Sequence, residues 1–315
     1  MNLTHKKLTT LLFLLVSMLV YTGCKKELIS DGKAVPFSYL ERDDFFETNA
    51  PRPERFTFSA GTSNFLEGQQ GTCIYIPENA FVDQNGNPVK GQFDFELLEV
   101  FTVSDMIFAG KMTVSGGQLL SSGGEFYVNA EQNGQQLKLA PGKSVNIEVP
   151  TNNPTPQMAF FRGDESSGTF DWVADTSTTV TTVVDTSSQQ QYYSFACPTL
   201  WNWMNCDYYF SDPRPKTNVE IQVPAGYDQT NTSVFVYVPV DNIMVQVYHY
   251  SNGSYYINGS YQLPVGLQVY FIGIKPGVTS VEYALQQNTI VNNHVEVLSF
   301  STITLAQLQA LLAAL

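Results

Sequence analysis

The side chains best able to do nucleophilic or metal chemistry in this 315-residue chain are four cysteines and three histidines. Beyond Cys24 the histidines are His249 and His294, and neither lies beside a cysteine in the sequence. Zinc and nucleophile sites have recognisable spacings, and no Cys-x-x-Cys, His-Glu-x-x-His, Gly-x-Ser-x-Gly or phosphate-binding glycine loop occurs here. We therefore expect no metal, no cofactor and no enzymatic activity.

Cys197 and Cys206 form the most closely spaced pair of cysteines. In an oxidising compartment such a pair can close a short loop as a disulfide, which would leave Cys73 single. A metal or nucleophilic site at the same pair is the alternative hypothesis.

Aromatic residues concentrate at two places that could contact a ligand. Two tryptophans flank Asn202, and a group of tyrosines surrounds two Asn-Gly-Ser turns. Exposed aromatic rings can stack on sugar rings, whereas the same rings on paired strands stabilise a hairpin without a ligand, and tryptophans can pack between two β domains. The candidate ligand-binding residues are Trp201, Trp203, Tyr248, Tyr255 and Tyr256.

Charge excludes one class of partner. The chain has 29 acidic against 16 basic residues and a formal net charge of −13. A surface of this sign repels a phosphate backbone, so we expect no nucleic-acid partner.

The first 24 residues have the pattern of a secretory signal. Basic residues at positions 6 and 7 precede a mostly apolar stretch over 8–20, and Gly23 precedes Cys24. The apolar stretch is too short for a permanent membrane span. The segment resembles a lipobox, and Gly23-Cys24-Lys25-Lys26-Glu27 resembles the start of Bacteroidota lipoproteins. This resemblance implies that residues 1–23 are a signal peptide and that Cys24 is acylated; an ordinary cleaved signal is the alternative.

Apolar and polar residues alternate along most of the remaining chain, which predicts a mainly β fold of two antiparallel β-sandwich domains and a short C-terminal helix. Residues 24–55 are expected to be a tether or a loosely docked arm, with a short helix near 39–47 as an alternative. Residues 56–160 form the first predicted sandwich, with one of its strands at 106–114. Residues 161–213 are interpreted as a connecting, aromatic and Thr-rich β segment.

Residues 214–315 contain seven candidate strands, a number that suits an Ig-like sandwich. The chain ends in a segment that begins with a capping threonine. Four leucines there share one face of a helix: Leu305, Leu308, Leu311 and Leu312. This pattern predicts a short C-terminal helix.

Two motifs carry a resemblance to a known family. They are Ile76-Pro77-Glu78-Asn79-Ala80-Phe81 and Trp203-Met204-Asn205-Cys206-Asp207. The first is similar to the opening of ZU5-type β-sandwiches, and the second resembles a Trp-x-Asn-Cys-Asp box of uncharacterised Bacteroidota lipoproteins. The resemblance implies a ZU5-like first domain, and it concerns architecture rather than activity.

Together these observations predict a lipid-anchored protein of the outer membrane, with the membrane face left open. The expected role is that of a non-enzymatic structural or protein-interaction module of the cell envelope. A surface glycan-binding lipoprotein is the alternative. A carboxylate-dependent glycosidase is the third hypothesis, because two carboxylates suffice for that reaction and a sequence cannot pair them across a fold.

Overall fold

The computed structural model describes residues 39–166, 168–200 and 202–315. The signal sequence, Cys24 and Trp201 therefore lie outside the described residues. The described chain has three α-helices and one short 3₁₀ helix, and all its other regular elements are β-strands, which confirms the mainly β class. The helices are α1 (Tyr39–Thr48), α2 (Val103–Ala109), α3 (Leu305–Ala313) and the 3₁₀ helix Gly259–Tyr261.

The first sandwich is built from two antiparallel sheets. The larger sheet has the order β1 (Glu54–Ser59), β5 (Gln92–Val100), β7 (Gln118–Gln132), β15 (Trp203–Tyr209), β11 (Ala159–Asp164) and β12 (Asp171–Ala174), with β6 (Val114–Ser115) and β8 (Gln135–Gln136) paired to β7. The smaller sheet has the order β13 (Thr181–Val184), β14 (Gln191–Cys197), β10 (Val145–Thr151), β3 (Cys73–Ile76) and β2 (Asn64–Glu67). A separate short pair joins β4 (Phe81–Val82) to β9 (Lys138–Leu139). Residues 161–213, interpreted above as a connecting segment, thus supply β12, β13, β14 and β15 to these two sheets.

Alternation along the strands explains why the two sheets pack face to face. In β5 every second residue is buried, beginning with Phe93 and Phe95. Phe126 of β7 stacks on Phe195 of β14 with ring centroids 5.9 Å apart, so side chains of both sheets share one core. Each fully buried aromatic or aliphatic side chain contributes about 1.5–3 kcal/mol to such a core.

Each of the seven strands predicted for the second sandwich has a counterpart in it, although the one predicted over residues 254–264 is interrupted by the 3₁₀ helix. One sheet has the order β20 (Tyr250–Ser251), β21 (Ser254–Ile257), β17 (Val219–Gln222) and β25 (His294–Val297). The other has the order β19 (Ile243–Val247), β18 (Ser233–Val238), β23 (Gln268–Pro276), β24 (Val281–Thr289) and β26 (Ser301–Ile303), and β16 (Lys216–Thr217) pairs separately with β22 (Leu263–Pro264). Their inner faces meet in one apolar cluster that includes Ile221, Val236 and Phe271. Strands β17 and β25 run parallel, an exception to the antiparallel pattern that alternation alone could not predict.

The strand predicted at 106–114 is wrong, because this segment begins inside helix α2. Thr102 caps the helix: its hydroxyl accepts a hydrogen bond from the Asp105 backbone N–H at 3.1 Å, and the Asp105 carboxylate accepts one from the Thr102 N–H at 3.3 Å. Gly110 ends the helix with φ of 66°, a left-handed conformation that glycine adopts without strain. The capping box therefore starts a helix, although the apolar residues that follow it were interpreted as a strand.

Helices α1 and α3 both pack on α2, at the junction of the two sandwiches. Phe46 of α1 contacts Phe108 of α2 and Phe235 of β18, at centroid distances of 5.7 and 6.2 Å. Arg42 is buried, and its guanidinium donates to the Gln229 carbonyl at 2.6 Å. The helix considered near residues 39–47 is therefore present and docked.

The C-terminal helix predicted from the sequence is confirmed as α3. Thr304 forms a capping box with Gln307, and Leu308 and Leu312 are its buried residues. These leucines join the apolar cluster at the junction.

Backbone hydrogen bonds also join the two sandwiches. The Thr113 N–H donates to the Met244 carbonyl at 3.1 Å, and the Met244 N–H donates to the Thr113 hydroxyl at 2.8 Å. The described residues accordingly fall in one compact unit. In the part of the chain that the structure describes, no helix is long and apolar enough to span a membrane.

Candidate binding cleft

A cleft of about 760 Å³ lies between the two sandwiches. One wall comes from the first sandwich, where the segment after α2 meets the residues just before and at the start of β12. The other wall comes from β19, β21 and the 3₁₀ helix of the second sandwich. Clefts of this size between domains are common ligand sites.

Phe170 is the aromatic side chain of the first wall, and its neighbours hold it in place. Its ring meets Trp172 edge to face at 4.8 Å, and the Lys111 ammonium lies 3.8 Å from its centroid. Trp172 is fully buried and donates from Nε1 to the Met112 carbonyl at 3.0 Å. Because a cation over one ring face and an edge-to-face contact are both favourable, the position of Phe170 is fixed before any ligand binds.

Asp171 is the one carboxylate among the described residues that line the cleft. Both of its oxygens accept from the Gly116 N–H, at 3.1 and 3.0 Å. Tyr261, on the opposite wall, has a raised pKa, chiefly through burial and then through the negative charge of Asp171. The two walls are thus close enough for their polar groups to interact across the cleft.

The second wall presents tyrosines. Tyr248 is 72% exposed and its hydroxyl donates to Gln246 at 2.9 Å. The ring of Tyr256 lies 5.5 Å from that of His249, and the Tyr256 N–H donates to the His249 carbonyl at 2.8 Å. Asn258 lies within hydrogen-bond distance of the same imidazole, at 3.3 Å from Nδ1.

This arrangement combines aromatic faces with neutral hydrogen-bonding groups and one carboxylate. Aromatic faces provide contact area for an apolar or ring-shaped surface, and amides fix the orientation of hydroxyl groups. Such an arrangement suits recognition of a ligand, and the described lining residues also include one acid and one imidazole that already has a partner.

The structure places the predicted ligand-binding residues in three different environments. Tyr248 and Tyr256 line the cleft. Trp203 lies behind its first wall, half-buried, with its ring 6.3 Å from Phe170 and 4.9 Å from the Lys111 ammonium. Trp201 lies outside the described residues.

Tyr255 does not line the cleft. It is 2% exposed, and its hydroxyl donates to the Thr232 carbonyl at 2.7 Å inside the second sandwich. In an alternating strand neighbours point to opposite faces, so only one of Tyr255 and Tyr256 can face the cleft. The assignment of Tyr255 to ligand binding is therefore revised to core packing.

The three cysteines that the structure describes are free, buried thiols: Cys73, Cys197 and Cys206. The bond expected between Cys197 and Cys206 is not formed in this structure. Cys197 lies on β14 and Cys206 on β15, in opposite sheets of the sandwich, and the Cys197 Sγ contacts the Met204 Sδ at 3.5 Å. Burial raises the pKa of both thiols well above the ordinary value of a cysteine, which opposes thiolate chemistry at this pair.

Several cleft residues were not predicted from the sequence, namely Phe170, Asp171, His249 and Asn258, whereas Tyr261 belongs to the tyrosine group around the two Asn-Gly-Ser turns. Phe170 and Asp171 are distant in sequence from the tyrosine hairpin, and only the packing of the two sandwiches brings them to it. His249 and Asn258 could have been predicted, because in the sequence they lie next to the tyrosines that were chosen as candidate ligand-binding residues.

Two fully buried acids lie outside the cleft, on the face of the larger sheet that meets the junction. Glu125 of β7 pairs with Asn205 of β15 across the strands, and Asn205 donates to Asp207 at 2.6 Å. Within the described residues neither carboxylate oxygen of Glu125 has a hydrogen-bond partner. Burial raises the pKa of Glu125 and of Asp207 well above the ordinary range and so disfavours the charged form of each.

In comparisons with known proteins, neither a family model nor a curated protein matches this chain. The resemblance to ZU5-type lipoproteins therefore stays a prediction from two motifs.

Proposed function

We propose that this protein is a lipid-anchored, non-enzymatic binding protein of the cell envelope, and that its cleft binds a glycan. The observation that carries the proposal is the convergence of aromatic side chains from both sandwiches on one cleft: Phe170 from the first, Tyr248 and Tyr256 from the second. A sugar ring offers apolar C–H faces for such rings and hydroxyls at its edge for amides. Asn258, Gln246 and Asp171 supply those edge partners.

The non-enzymatic part of the proposal is supported by the placement of carboxylates. Glycoside hydrolysis commonly needs two carboxyl groups about 5–10 Å apart on either side of the bond that breaks. Asp171 is the single acid among the described cleft residues. Glu125 and Asp207 are a pair, but both are 0% exposed, so no substrate reaches them in this fold.

The lipid-anchored part of the proposal is supported by the sequence around Cys24. Acyl chains contribute about 0.8 kcal/mol per buried CH₂, so two or three chains on one cysteine hold a protein on a bilayer. The resemblance to Bacteroidota lipoproteins supports the outer membrane as the site of attachment. An anchored cleft would keep a bound glycan at the membrane surface.

A protein-interaction module is the second candidate function. It is favoured by an exposed aromatic pair on the smaller sheet of the first sandwich, Phe65 and Tyr75, which are 49% and 44% exposed. This surface lies on a different part of the molecule from the described cleft residues.

Affinity electrophoresis in gels that contain a neutral glucan, a mannan or a xylan tests the glycan proposal. We expect at least one polysaccharide to retard the full chain, and Tyr248→Ala with Tyr256→Ala to weaken that retardation about tenfold, since each stacked aromatic contact contributes about 0.5–1.5 kcal/mol. Phe65→Ala is the matched control, because it removes an exposed aromatic from another surface. Equal retardation of the cleft variant and the wild type would contradict the proposal.

A further inference from the structure

The outer face of the smaller sheet of the first sandwich carries aromatic side chains exposed to solvent. Phe65 of β2 and Tyr75 of β3 are cross-strand partners with ring centroids 4.9 Å apart. Tyr192 of β14 lies on the same face, two strands away from Tyr75. Its neighbour Tyr193 points into the core and is 1% exposed, so successive side chains of this strand lie on opposite faces of the sheet.

Acidic side chains lie among these rings. Glu67 of β2 and Glu148 of β10 both pair with Cys73 of β3, so they flank it in one row across three strands. Asp185 follows β13 at one edge of the sheet. The strand registers place these rings and the two glutamates on one face. In agreement, the pKa values of Tyr75 and Tyr192 are both raised, first by burial and then by the charges of neighbours that include Glu148 and Asp185.

This surface has no cationic counterpart of its own. Strands β2, β3, β10, β13 and β14 contain no lysine or arginine. Among the described residues, none of the ion pairs involves Glu67 or Glu148. An exposed aromatic cluster bounded by unpaired acids is complementary to side chains that combine an apolar stem with a positive charge.

We propose that this face docks a basic segment of another protein, with lysine or arginine side chains lying over Phe65 and Tyr75 and pairing with Glu67 and Glu148. A cation over an aromatic ring and an ion pair with a carboxylate reinforce one another when water is partly excluded. A neutral glycan would leave both glutamates unpaired, and a nucleic acid would be repelled. The proposal does not depend on the cleft, and it gives the molecule a second, separate binding surface.

Binding of a labelled ten-residue peptide that alternates lysine with leucine, measured on the immobilised full chain, tests this proposal. We expect saturable binding that Glu67→Gln with Glu148→Gln weakens at least tenfold, and that Tyr75→Ala also weakens. The matched control is Glu47→Gln with Glu78→Gln, which removes the same charge from exposed positions elsewhere. That control and Tyr248→Ala in the cleft should stay within twofold of the wild type.

Four outcomes would overturn the proposal. They are an equal loss in the control pair, an unchanged affinity for Tyr75→Ala, equal binding of the peptide with glutamate in place of lysine, and no binding at millimolar peptide. Thermal melting of each variant shows whether it is folded. Since Tyr248→Ala separates the two surfaces, failure of this proposal is distinguishable from failure of glycan binding at the cleft.

Discussion

Glu125 shows how one buried side chain makes stability depend on pH. Its carboxyl group lies beside Asn205 on the face of the larger sheet that packs at the junction, and it is 0% exposed. Burial raises its pKa well above the ordinary 4.5, the charge of Asp207 raises it further, and Lys111 lowers it. The folded protein therefore keeps a proton that the unfolded chain releases above about pH 4.5.

The sign of the pH effect follows from this proton. Because the folded state binds more protons, the contribution of Glu125 to stability is greatest below pH 4.5 and falls as pH rises towards its folded pKa. We expect Glu125→Gln to have the melting temperature of the wild type at pH 4 and a melting temperature about 2 °C higher at pH 8. This shift corresponds to about 1 kcal/mol of stability, since a change of 1 kcal/mol moves the melting temperature by about 2–4 °C. Differential scanning calorimetry at both values measures this. A variant that is less stable at pH 8 would show that Glu125 is ionised and paired in the fold, and Glu78→Gln serves as the surface control.

At the scale of elements, the sequence was enough to predict a strand or a helix wherever the residues of that element themselves specify it. Alternation predicted the seven strands of the second sandwich, and Thr304 with the spaced leucines predicted α3. The same criteria failed at α2, where an apolar run looked like a strand and the Thr102 to Asp105 capping box was overlooked. The cleft could not be predicted from the sequence. Phe170 belongs to the first sandwich and Tyr248 to the second, so they come together only when the two sandwiches pack against each other.

Trp203 links the packing of elements to the cleft. Its ring lies 5.5 Å from Tyr127 and 6.3 Å from Phe170, so it supports the first wall from behind. We expect Trp203→Ala to lower the free energy of unfolding by roughly 3 kcal/mol, the lower end for loss of a large aromatic, because the side chain is only half-buried. Urea unfolding measures this change. Tyr248→Ala should change stability by less than about 0.5 kcal/mol, as expected for an exposed position, and the reverse ranking would contradict the assignment of the two residues.

At the scale of the whole molecule, two sandwiches meet at one junction, and we propose that Cys24 carries a lipid anchor. Helix α1 lies within residues 24–55, the predicted tether or loosely docked arm, and it docks through Arg42 and Phe46. The predicted lipid would therefore attach close in sequence to the helix that packs at the junction.

The proposed acylation of Cys24 predicts how the protein fractionates. Wild-type protein should be recovered with membranes, and Cys24→Ala should be released into the soluble fraction or keep its signal sequence, because the acyl chains supply the membrane affinity. Mass spectrometry of the N-terminal peptide checks the modification itself. An unmodified N-terminus in the membrane-free fraction of both proteins would contradict the anchor.

The central claim is that the cleft binds a glycan through Tyr248 and Tyr256. Fluorine NMR of the full chain labelled with 3-fluorotyrosine, titrated with an oligosaccharide of the polysaccharide that retards it, tests this claim most directly. We expect the resonances of Tyr248 and Tyr256, assigned with their Phe variants, to shift in a saturable manner, while that of Tyr255, buried in the second core, stays in place. Shifts confined to Tyr75 and Tyr192, or no shift at any tyrosine, would contradict it.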